Sequence, residues 1–131
     1  NMIKILILLL TFFPLTLIGQ ELKCCETIKE VETYLNGNWK KKDSEPNRQY
    51  RFEFKNGTGK FRIFNVKENG TLENSEENQP IIKILKTEKG FEIEHDFGGI
   101  KTYAGIKYLN SNKLIITRND GAEKEYYRIA E

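Results

Sequence analysis

Leu35-Asn36-Gly37-Asn38-Trp39-Lys40 divides the chain into two kinds of pattern. It holds the only tryptophan, and it follows the only convincing amphipathic helix pattern. Upstream, Glu26–Leu35 sets Ile28, Val31, Tyr34 and Leu35 at three- and four-residue spacing, which is one apolar stripe on a short helix. Asn36-Gly37 then offers the positive backbone φ that ends a helix. Trp39 stands two residues later, at the start of a strand. A large ring there can plug the end of a sheet that curls on itself, and Gly37 lets the backbone pass close beneath it. An indole in that place gains roughly 0.5–2 kcal/mol from a guanidinium over its face. The last strand-like run, Glu123–Ala130, provides Arg128. First and last strands are neighbours in a closed meander, so the expected seal is Gly37, Trp39 and Arg128, with Arg118 as the substitute cation.

Downstream of Trp39, turn signals recur at short intervals: Glu45-Pro46-Asn47, Asn56-Gly57, Asn69-Gly70, Lys89-Gly90, Gly98-Gly99, Asn110-Ser111-Asn112 and Asp120-Gly121. Such dipeptides supply the positive φ of hairpin turns. Between them lie Asn38–Asp43, Arg48–Lys55, Lys60–Lys67, Pro80–Thr87, Phe91–Phe97, Ile100–Leu109, Lys113–Arg118 and Glu123–Ala130. One strand with its turn takes about 12 residues, and no second helix intervenes. The spacing predicts an all-β protein: an eight-stranded antiparallel up-and-down barrel with a short N-terminal helix. Glu68–Gln79 reads as a polar loop.

Alternation along the runs assigns the inner face. Tyr50, Phe52 and Phe54 share one side, then Phe61 and Ile63, with the pattern slipping at Phe64 as at a bulge. Ile82 and Ile84 follow, then Phe91, Ile93, His95 and Phe97. Ile100, Thr102, Ala104, Ile106 and Tyr108 continue it, then Leu114 with Ile116 and Tyr126 with Arg128. Eight strands make a barrel filled by its own side chains or one that holds a single small ligand. The ligand-binding candidates are therefore Tyr50, Phe52, Phe54, Phe61, Ile82, Ile84, Phe91, Ile93, His95, Phe97 and Tyr108. Any pocket is expected to open away from Trp39, with tyrosine hydroxyls and His95 as its polar contacts.

Gly37-Asn38-Trp39 resembles the Gly-x-Trp signature that opens lipocalins and lipocalin-like barrels. The ending Leu114–Ile129 is similar to the closing hairpin of small bacterial lipocalin-like domains, and Arg128 matches that family's tryptophan-covering arginine. The resemblance spans residues 26 to 131. The chain is shorter than full-size lipocalins and lacks their usual disulfide pattern. The resemblance implies non-enzymatic binding of a small hydrophobic molecule inside the barrel. The alternative is a filled barrel that acts as a protein-binding or inhibitory module through its surface and loops.

Residues 1–20 read as a signal peptide and 21–131 as the barrel domain. Lys4 is the charged start, and the apolar run Ile5–Ile18 is about 14 residues, short for a bilayer-spanning helix. A secreted or periplasmic protein with no stable membrane anchor after cleavage is expected. The formal net charge is +2, from 21 basic and 19 acidic residues, and Met2–Gln20 contributes one lysine and no acid. A surface so nearly neutral argues against a nucleic-acid partner. The basic triplet Lys40-Lys41-Lys42, followed by Asp43 and Glu45, reads as a solvated strand edge.

Cys24 and Cys25 are adjacent and are the only cysteines. They fit a vicinal bridge, a bridge between chains, or free thiols. Two thiols with no histidine near them are too few for a zinc site, and the spacing is not that of a redox motif. His95 is the only histidine, so no catalytic triad and no polyhistidine metal centre can form. Glu92, Glu94 and Asp96 fall on the face opposite His95 and read as solvated. No phosphate loop, nucleophile elbow or dinucleotide fingerprint occurs. The expectation is a protein that is not an enzyme, with no cofactor and no metal.

Overall fold

The computed structural model describes residue 22 and residues 24–43, 47–75, 77 and 79–129. The expected leader, Met2–Gln20, lies outside the described residues. Helix α1 (Ile28–Leu35) begins at Thr27, whose hydroxyl accepts from the Glu30 amide at 3.2 Å and donates to the Glu30 carboxylate at 3.0 Å. This reciprocal cap satisfies one of the orphan donors of the first turn. Val31 and Leu35 are fully buried against the barrel, Tyr34 packs beside them, and Ile28 stays partly exposed. Asn36 ends the helix with ordinary negative φ, and Gly37 carries the positive φ of +127°.

Nine strands follow: β1 (Gly37–Lys41), β2 (Arg48–Lys55), β3 (Thr58–Val66), β4 (Leu72–Asn74), β5 (Ile81–Thr87), β6 (Gly90–Phe97), β7 (Ile100–Leu109), β8 (Lys113–Thr117) and β9 (Glu123–Arg128). Every neighbouring pair is antiparallel, and β1 pairs with both β2 and β9. With β2 on β3 and β3 on β5, eight strands close into a barrel, and β4 hangs on the free part of β3. The polar loop expected over Glu68–Gln79 thus contains a short ninth strand. Asn56-Gly57 makes the β2–β3 turn with φ of 56° and 85°, the backbone that this dipeptide favours.

The ladders differ in length. β2 and β3 match in register over eight residue pairs, whereas β3 and β5 share two, Gly59↔Ile82 and Lys60↔Ile81. Beyond them the wall is closed by the Phe61 amide on the Pro80 carbonyl and by the Ile63 amide on the Gln79 side chain at 3.1 Å. At Gly59 a Cβ would lie 2.7 Å from the Phe54 ring, so that ring rests directly on the β3 backbone.

Three sequence expectations change. No register break separates β2 from β3 at Phe64. Phe64 is an outward residue that stays buried because Arg51 lies over its ring, 4.7 Å from the centroid. The break falls instead on β7 between Ile106 and Tyr108. It turns Leu109 inward, opposite Leu114, and pairs Tyr108 with Ile115 on the outer face. Tyr108 is therefore no lining residue; Asn110 and Lys113 sit against it there. Arg118 cannot serve Trp39, because the two stand at opposite ends of the barrel.

Cys24 and Cys25 are joined to each other. Cys25 is buried with Leu22 in the main core, and Cys24 packs partly against it.

Candidate functional site

The end of the barrel beneath α1 is solid. Trp39 is fully buried, and its indole N–H donates to the Leu35 carbonyl at 2.8 Å. The Arg128 guanidinium lies over the indole, 4.3 Å from the ring centroid. It donates to the carbonyls of Asn36 at 2.8 Å, Ser111 at 2.5 Å and Tyr34. Tyr34, Leu35 and Asn36 close the helix, where carbonyls lack partners within the helix, and a cation is favoured there by the helix dipole. One indole and one guanidinium thus satisfy the carbonyls of Tyr34, Leu35 and Asn36 at the end of α1. Asn36 adds a further tie: its side chain accepts from the Phe54 amide at 2.6 Å and donates to the Phe54 carbonyl at 3.3 Å. Ile84, Phe91, Ile106, Leu109 and Leu114 fill the space above this floor.

The opposite end is hollow. A cavity of about 530 Å³ lies between Phe52, Phe61, Ile93, His95, Phe97, Thr102, Ala104, Ile116 and Tyr126, and Arg118, Asn119, Asp120 and Lys124 stand at its opening. That volume falls in the ordinary range for small-molecule pockets. One wall is a chain of rings: Tyr126 meets Tyr50 edge-on at 5.5 Å, Tyr50 stacks on Phe61 at 5.7 Å, and Phe61 meets His95 at 6.4 Å. His95 then stacks on Phe97 at 6.4 Å.

Of the expected ligand-binding residues, Phe52, Phe61, Ile93, His95 and Phe97 line this cavity. Tyr50 backs it through Phe61 and Tyr126. Phe54, Ile82, Ile84 and Phe91 belong to the packed core, and Tyr108 faces outward. Lys124, Thr102, Ala104 and Ile116 were not among the binding candidates. Lys124 carried a usable signal: it precedes the inward Tyr126 by two residues, so the same alternation turns it inward. Its register partner is the buried Ile116. Glu94 and Asp96 turn outward as expected of alternation, the first to Lys101 at 3.6 Å and the second to the Gly99 amide at 2.7 Å.

Burial holds the His95 imidazole below the ordinary histidine range, with hydrogen bonding at the Ile93 and Thr102 backbone opposing it. Burial likewise raises the Tyr126 phenol. The Lys124 ammonium is lowered by burial first and by the neighbouring Lys41 and Arg118 charges next. Since the fold favours neutral His95, the unfolded chain binds the extra proton as pH falls through roughly 6.5. Stability should be complete above that pH and decline toward the lower folded value. Urea midpoints at about pH 7.5 and about pH 5.5 should differ more for the native protein than for His95→Gln. An equal difference in both would remove His95 as the cause.

No protein family, curated protein or solved structure matches the chain at a significant level.

Proposed function

We propose that this is a lipocalin-like protein of a secreted or periplasmic compartment, and that it binds a small hydrophobic molecule in the open end of its barrel without transforming it. The observation that carries this reading is the cavity of about 530 Å³, walled by aromatic and aliphatic side chains in a barrel whose other end is solid. An arginine stacked on a tryptophan beside Gly37 fits the same kinship. The joined Cys24 and Cys25 fit an oxidising compartment.

The test is binding of the uncharged fluorophore N-phenylnaphthylamine. The native protein should enhance its emission saturably. Ala104→Phe, which fills the recess from β7, should weaken binding by about tenfold or more. Equal affinity in both proteins would sink the proposal. The second reading, a module acting through its outer surface, draws on Ile81, which is 55% exposed on the outer wall of β5. That reading is favoured if the native protein ignores the fluorophore altogether.

A further inference from the structure

The opening of the barrel is divided between charge and grease. Side chains paired in register share a face of the sheet. Lys41 pairs with the buried Tyr126, and Lys124 pairs with the buried Ile116, so both lysines point toward the axis. Arg118 lines the cavity on β8's side, and Arg48 stands two residues before the inward Tyr50 on β2. Cations thus occupy adjacent strands β2, β1 and β9 and the end of β8. The tip of the facing arc, at the β6–β7 turn, is apolar, since Phe97 pairs there with Ile100, which is 73% exposed; His95 and Thr102 pair one step below it.

Arg48 and Arg118 each have a carboxylate close by. Arg48 is bound to Glu77, and Arg118 lies 4.0 Å from Asp120. Among the described residues, no carboxylate comes within ion-pair distance of Lys124, although its side chain lines the cavity. We propose that the ligand is an amphipathic anion whose apolar body occupies the aromatic recess and whose carboxylate sits on Lys124, an inference that rests on the ligand-binding reading above. The lowered Lys124 pKa, caused first by burial and then by the Lys41 and Arg118 charges, fits this role, because an anion beside the ammonium would offset both. Lys41 and Arg118 extend the positive field around the same point.

The experiment compares dodecanoate with dodecanol by calorimetry on the intact protein, with N-phenylnaphthylamine as the measure of the cavity itself. Dodecanoate should bind about tenfold tighter than dodecanol. Lys124→Gln should bring that ratio close to one, and Lys124→Arg should keep most of it. The Lys124→Gln variant should also melt no lower than the native protein, because a half-buried ammonium crowded by Lys41 and Arg118 is removed; a purely structural lysine would give a lower melting temperature. If the fluorophore binds but dodecanol matches dodecanoate, or if Lys124→Gln keeps the full preference, the anion proposal is overturned and the cavity reading stands. If neither the fluorophore nor either alkyl probe binds, both are overturned.

Discussion

Trp39→Ala is expected to lower the unfolding free energy by about 3–5 kcal/mol, the range for removing a large ring from a core. Trp39 is fully buried. Its loss leaves the Leu35 carbonyl without the indole N–H and Arg128 without the ring beneath it. Domains of this size have about 5–15 kcal/mol in total, so the variant should sit near the edge of folding. Urea denaturation followed by far-ultraviolet circular dichroism measures this, since the only indole signal disappears with the mutation. A cost below about 1 kcal/mol would show that the floor of the barrel closes without this ring.

Gly37→Ala should cost nearly as much, about 2–5 kcal/mol, for two separable reasons. Gly37 has φ of +127°, which a side chain tolerates poorly, and a Cβ there would stand 2.5 Å from a terminal nitrogen of Arg128. The guanidinium has little room to yield, because it is fixed to the Tyr34, Asn36 and Ser111 carbonyls. In an Arg128→Ala background the steric part disappears, and the same substitution should then cost about 1–3 kcal/mol from the backbone alone. A double-mutant cycle in urea reads this coupling directly. Strict additivity would mean that the guanidinium does not occupy the space that Gly37 leaves.

The strand-and-turn plan was legible because local chemistry and global fold agree in it. Asn56-Gly57 is both a favourable turn dipeptide and an actual positive-φ turn. Strand β4 was not legible, since Leu72–Asn74 is three exposed residues held by its ladder to β3, too short for any alternation. Counting in twos puts Tyr108 inward, and a single irregularity after Ile106 reverses every later position on that strand. Phe64 misled in the opposite way: its apolar character suggested a slipped register, while a covering arginine is what buries it.

Alternation also tells side, not height. Phe52, Phe61 and His95 share the inner face with Phe54, Ile84 and Phe91, yet only the first three border the cavity. Height depends on strand stagger and on the plug beneath α1, which sequence spacing does not encode. Lys41 and Lys124 were readable from Trp39 and Tyr126 by the same count of two. Charge alone suggests a solvated edge for Lys41, and its register with Tyr126 adds that it lies on the inner face of that edge. Adjacent cysteines fit several pairings equally well, and nothing in their spacing singles out the bond that they make to each other.

A ring of staves parts where its shortest joint lies. In this barrel that joint is between β3 and β5, two matched residue pairs with a side-chain amide standing in for the next rung. Once it parts, the eight-membered wall unrolls into a ribbon bounded by the bared rims of β3 and β5, while the floor built on Trp39 holds its far portion together. Such rims invite edge-to-edge pairing between molecules. Lys60 and Lys83, outward and exposed beside them, place charge where that self-association would begin.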